Sequence, residues 1–87
     1  MTWYLYIARA RTGRYYVGIT TDPERRLRDH NNGKGARMAV NQGPFKLAYI
    51  SQPLLNQSIA RKLEIRLKSW SRAKKEKLIN GEIQTLN

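Results

Sequence analysis

The first twenty residues limit the fold more than any other part of the chain. Trp3 to Ala8 is an unbroken aromatic and aliphatic run, Arg9 to Arg14 contains Thr12-Gly13, and Tyr15-Tyr16-Val17-Gly18-Ile19 is a second apolar run. Aromatic and branched side chains favour a pleated backbone, and a glycine-bearing polar stretch between two such runs reads as a hairpin turn. Successive side chains on a strand point to opposite faces. Trp3, Leu5 and Ile7 therefore share one face with Tyr15, Val17 and Ile19, while Tyr4, Tyr6, Tyr16 and Gly18 share the other. The second face is the less apolar one, and two tyrosines beside a glycine leave room there for something to approach.

Beyond the hairpin the pattern turns helical. Asp22 is a suitable N-cap and Pro23 suits the first helical position, so a helix should run to about His30 and stop at Asn31-Asn32-Gly33. Residues 33 to 37 read as a basic loop, and Phe45 to Ser51, after Gly43-Pro44, reads as a third strand. From about Ser58, the residues Ala60, Leu63, Leu67 and Trp70 make an apolar stripe at three- and four-residue spacing. Asn80-Gly81 should end this helix or a second one that follows it. The expected fold is α+β with the order β-β-α-β-α: a three-stranded antiparallel sheet with flanking helices. Residues 1–80 form the domain and 81–87 a C-terminal tail.

A chain of 87 residues has room for one core, and with no cysteine it has neither disulfides nor a thiolate metal site. The start, Met1-Thr2-Trp3-Tyr4, lacks the layout of a signal peptide, and no apolar run is long enough to span a bilayer. The expectation is a cytoplasmic protein without a membrane partner. Seventeen Lys and Arg against six Asp and Glu give a formal charge of +11. That excess attracts polyanions, and nucleic acid is the commonest of them in the cytoplasm. An inert basic surface and an anionic membrane are the other readings of charge alone.

Three groups of residues could carry chemistry. Glu64 lies among Arg61, Lys62, Arg66 and Lys68, in a stretch (57–78) with eight basic residues and two acidic ones. It is either an exposed i,i+4 partner of Lys68 or, being on the row of Ala60 and Leu67, a carboxylate at the edge of the buried stripe. His30, the sole histidine, follows Arg26 by one helical turn. The two make a phosphate-holding and proton-moving pair, or simply a basic helix face. Tyr15 reads as core, whereas strand parity sets Tyr6 and Tyr16 opposite the apolar face.

In this order the residues resemble the GIY-YIG nuclease superfamily. Tyr4-Leu5-Tyr6 stands where that family has Gly-Ile-Tyr, and Tyr16-Val17-Gly18 where it has Tyr-Ile-Gly. Arg26, His30 and Glu64 follow at matching places. The segments from His30 to Arg37 and from Gly43 to Leu47 look closest to the branch holding small stand-alone YhbQ-type proteins and the nuclease domain of structure-selective resolvases. The likeness covers about residues 3 to 79. It departs from the pattern at Tyr4, which replaces the family glycine, and at Asn80, which stands near the place of a family asparagine but precedes Gly81 and suits a helix cap.

The resemblance implies a DNA endonuclease, with RNA also open as a substrate, acting in DNA repair or recombination. Glu64 would bind one Mg²⁺ or Mn²⁺ as the sole protein ligand. Tyr16, or Tyr6 with it, would orient or deprotonate the attacking water. Arg26 would stabilise charge on the scissile phosphate, and His30 would hydrogen-bond the tyrosines or relay a proton. Lys34, Arg37, Arg61 and Lys68 would hold the nucleic-acid backbone, a role that adds affinity without reading sequence. Weak sequence preference follows, because no separate base-reading module is present. A non-catalytic nucleic-acid-binding module on the same fold is the main alternative, and a domain that recruits a separate nuclease is a third.

Overall fold

Strand β1 (Tyr4–Arg9) is the middle of a three-stranded antiparallel sheet, with β2 (Tyr15–Thr20) on one side and β3 (Lys46–Ile50) on the other. The structure is a computed structural model that describes residues 1–32 and 43–84. The hairpin register sets Tyr6 opposite Gly18, Leu5 opposite Ile19 and Ala8 opposite Tyr16, so the expected partition of faces holds. Between β1 and β3 the register shifts at Ile7/Ala8.

The tyrosine face is covered over β1, while Tyr6, Tyr16 and Gly18 still border an open cleft. Leu5, Tyr6, Ile7 and Ala8 are all buried, so β1 is covered on both faces. An apolar run without polar alternation belongs to a central strand with something packed on each side, and this is what the run in β1 encodes. Helix α1 (Pro23–Asn31) supplies Leu27 to the face of Tyr6, Ala8, Ala10 and Phe45. On the other face, α2 (Gln57–Lys68) and α3 (Arg72–Ile79) bring Leu67 and Leu78 against Leu5 and Ile7, with Leu63 and Trp70 alongside.

The described chain contains one helix more than the β-β-α-β-α order, because the basic C-terminal segment is split in two. The break falls at Ser69-Trp70-Ser71, where Ser71 caps the second helix by accepting the Lys74 backbone N–H at 3.2 Å. Asn56 caps α2 through Ile59, and Asp22 caps α1 through Arg25 as the sequence suggests. Asn80 is the C-cap of α3, and Ile83 packs onto the Leu5 cluster from the segment assigned to the tail. No helix among the described residues is long and apolar enough to cross a membrane.

Candidate active site

Tyr6, Tyr16, Arg26, His30 and Glu64 line one cleft of about 220 Å³, together with Val17, Gly18, Ile19 and Arg61. They come from β1, β2, α1 and α2, and span 58 positions of sequence between Tyr6 and Glu64. Strand β2 is a sheet edge, and residues of both parities from it line the cleft. Lys34 and Arg37 lie outside the described residues.

Tyr6 is the centre of the arrangement. Its hydroxyl is 3.1 Å from Nε2 of His30, and the two rings meet edge-on. Gly18 makes the phenol's position possible. A Cβ built there would stand 2.5 Å from the Tyr6 hydroxyl and 2.7 Å from its ring carbon, closer than van der Waals contact permits. The room that the glycine leaves is therefore taken by the protein's own phenol. Phe45 fixes the neighbours: its ring lies 5.5 Å from that of Tyr16 and 5.3 Å from that of His30, centroid to centroid. Asn31 in turn ties the end of α1 to Phe45, accepting its backbone N–H and donating to its carbonyl. Sequence reasoning missed both positioning residues. Phe45 carried a strand signal and Asn31 a helix-stop signal, and both stood in segments that carry the family likeness without being assigned a role.

Burial pushes the Tyr6 phenol above its ordinary value of 10.0, while the Arg26 guanidinium pulls in the other direction. Near neutral pH the phenol thus keeps its proton, and in the tautomer that carries the imidazole proton on Nδ1 it donates to Nε2. Burial also lowers His30 below 6.5, and the charge of Arg26 adds to this, with Asp29 opposing. His30 is therefore neutral at pH 7. This arrangement has a consequence for stability, because the unfolded chain takes up the imidazole proton more readily than the folded one. Stability should be fully present above pH 6.5 and decline as pH falls below it. Urea melts of wild type and His30→Gln between pH 7.5 and 5 check this, since the variant should show a flatter profile.

Among the described residues Glu64 is the one acidic side chain lining the cleft, and it is buried although it belongs to a charged helix. Oε1 meets Arg61 Nη1 at 2.9 Å and Oε2 meets Lys68 Nζ at 3.5 Å. Both readings of this residue thus contain some truth: it pairs with Lys68, and it sits at the buried edge of the stripe. Arg61 and Lys68 are more than half exposed, so their hold is weak and their side chains can move aside. A carboxylate has about four lone-pair sites, of which these cations use two. Two further polar atoms, Tyr16 Oη and His30 Nδ1, are buried with no hydrogen-bond partner among the described residues. A single carboxylate in an open cleft, with lone pairs that its two exposed cations leave unused, suits a hard cation that keeps most of its own water. No cluster of three or more His, Cys, Asp or Glu able to cage a metal occurs among the described residues.

The chain belongs to the GIY-YIG catalytic domain family, whose profile matches residues 2–77. Within that nuclease-like family it is similar to the UPF0213 proteins. A UPF0213 protein from Aeromonas hydrophila is 46% identical over 77 residues, covering 88% of this chain and 56% of that one. The UPF0213 protein YhbQ of Escherichia coli O127:H6 is 42% identical over 77 residues, covering 88% and 76%. The solution structure of a UPF0213 protein from Bacillus halodurans superposes with a TM-score of 0.58 at 38% identity, covering 92% of this chain and 84% of that one. The chain thus spans little more than half the length of the Aeromonas relative. The fold is that of the family: a small α+β domain with three antiparallel strands among its helices.

Proposed function

We propose that the protein is a metal-dependent DNA endonuclease that hydrolyses phosphodiester bonds and reads backbone geometry with little sequence preference. One observation carries this reading. Five side chains able to orient water, move a proton, neutralise phosphate and bind a hard cation converge on a single cleft from four different elements. A fold that kept only its basic surface for binding would have no need for this convergence. The formal charge of +11 supports a polyanionic substrate. DNA repair and recombination are the processes such an activity fits.

Glu64 is the residue to hold Mg²⁺ or Mn²⁺. The chemistry such an ion supplies when bound is charge neutralisation at the phosphate and the departing oxygen. The protein's own groups perform the rest. Tyr16 offers an unpartnered hydroxyl that orients the attacking water. Tyr6 takes a proton from that water as its own passes to His30 Nε2, along the 3.1 Å contact between them. His30 starts neutral and is therefore able to accept it. The water oxygen bonds to phosphorus, the ester P–O bond breaks, and the leaving oxygen is protonated from solvent. Arg26, free of any ion pair among the described residues, stabilises the charge that grows on the phosphate.

Arg26→Ala tests this division of labour. Cleavage should fall by roughly 10²- to 10³-fold, as when one preorganised donor to a transition-state anion is removed. DNA affinity should fall far less, because most of the attraction is spread over the other cations. Single-turnover cleavage alongside fluorescence anisotropy in EDTA measures the two separately. An Arg26→Ala protein that cuts like wild type would remove Arg26 from the site. A panel of branched, nicked, duplex and single-stranded DNA together with RNA sets the substrate, and strict cutting at one short sequence would refute backbone reading.

A further inference from the structure

A second concentration of positive charge lies outside the active-site cleft, at the end of the sheet. Arg9 on β1 pairs directly with Lys46 on β3, and both are exposed. Like charges directly opposite each other on neighbouring strands repel and destabilise the sheet. Among the described residues the carboxylate ion pairs involve Arg61, Lys68 and Arg72, and none reaches Arg9 or Lys46. Arg11 joins them, its Nε–H donating to the Gly43 carbonyl at 2.9 Å, which anchors the guanidinium at the edge of the group. Arg9, Arg11 and Lys46 line a depression of about 350 Å³ with Ala10 and Pro44.

The position separates this shelf from the catalytic cleft. Arg9 is three residues beyond Tyr6 on the same strand, roughly 10 Å along it, and on the opposite face. It shares that face with its other partner, Tyr15, whose ring is covered by the Arg72 guanidinium at 4.2 Å. Lys46, Arg9, Tyr15 and Arg72 thus make a row across all three strands and onto α3. Glu76 lies at the Tyr15–Arg72 end of the row, 3.8 Å from Arg72 Nε and accepting from the Tyr15 hydroxyl at 3.4 Å, and it forms no ion pair with Arg9 or Lys46.

We propose that the Arg9–Lys46 shelf is a second nucleic-acid backbone site, which grips a stretch of phosphates other than the one entering the cleft. The proposal rests on the reading that the protein acts on nucleic acid. Charge complementarity identifies the partner: a cation pair with no carboxylate ion pair among the described residues, at the open end of a sheet, is stabilised by a polyanion. Such contacts add affinity and register without sequence information.

Anisotropy with a labelled DNA duplex in EDTA tests the shelf without any dependence on cleavage. The proteins are wild type, the double variant R9Q/K46Q, and a control of equal charge loss, K62Q/K77Q, at two exposed lysines elsewhere. The shelf variant should bind on the order of tenfold more weakly than wild type near 0.1 M salt, with a log Kd against log salt slope shallower by about two. The control should lose much less. Thermal melting of R9Q/K46Q should occur at the wild-type temperature or above, since a repulsion is removed, so weak binding cannot be ascribed to unfolding. Equal losses in the two double variants would overturn the shelf, as would an unchanged slope. Shelf-dependent binding to phosphatidylserine vesicles without shelf-dependent DNA binding would overturn it in favour of a membrane. Wild-type cleavage in Mg²⁺, measured in parallel, judges the catalytic reading on its own: a shelf that binds in a protein that does not cut leaves the first standing and removes the second.

Discussion

Replacing Glu64 by Gln is expected to lower the rate of cleavage by about 10³-fold or more, since losing several kcal/mol of metal-borne charge stabilisation costs a factor of ten for each 1.36 kcal/mol. The protein should remain folded. Gln has nearly the same volume as Glu, and the two ion pairs it removes are with cations that are more than half exposed, pairs of little worth to stability. DNA binding in EDTA should be equal or tighter, because the one negative side chain that the described residues bring to the cleft has gone. A large rate loss with binding intact separates a chemical role from a structural one. Were Glu64 merely the i,i+4 partner of Lys68, the substitution would change stability by a few tenths of a kcal/mol and leave the rate alone.

The second large effect is expected at Gly18. A methyl group in Gly18→Ala has no space, because the Tyr6 hydroxyl and ring carbon lie 2.5 and 2.7 Å from where it would stand. Tyr6 cannot easily give way, as it is 4% exposed and packs with Ala8, Ala10 and Phe45. Overpacking of this kind costs about 1–3 kcal/mol of stability. Relief must come from rotation of the phenol away from His30, which breaks the 3.1 Å contact on which the proposed proton relay depends. Gly18→Ala should therefore lose both stability and most of its cleavage activity, measured by urea melts and by cleavage at a temperature where the variant is folded. Pairing it with Tyr6→Phe is informative: if the methyl group acts through the Tyr6 hydroxyl, the double variant should cut no more slowly than Tyr6→Phe alone. Additive rate losses would mean that Gly18 acts by another route.

Much of this arrangement is legible in the residues themselves. Strand parity assigns Tyr6, Tyr16 and Gly18 to one face, and the four-residue spacing puts Arg26 and His30 on one side of α1. Both follow from local geometry and need no knowledge of the fold. The row of Ala60, Glu64 and Leu67 in α2 likewise announces a carboxylate at the border of the core, and all three are buried. Features set by contacts between distant segments are less visible. The unbroken apolar run of β1 shows that both faces are covered, but not that α1 is what covers the tyrosine face, because that depends on which distant segment arrives there. The hold of Phe45 on Tyr16 and His30 depends on where β3 joins the sheet. The Arg9–Lys46 opposition needs the same pairing, and Arg9 taken by itself reads as part of a turn. Ser71 as a new N-cap was the one local signal available for a third helix, and a basic stretch of nearly uniform composition masks it.

Cleavage of supercoiled plasmid, with Mg²⁺ or Mn²⁺ and with EDTA, by wild type and Glu64→Gln is the most direct test of the central claim. Nicking by wild type that requires the metal ion, disappears in EDTA and is lost in the variant is the predicted result. Salt-sensitive binding by both proteins with no cleavage by either would contradict it, and would leave a nucleic-acid-binding module built on a nuclease fold.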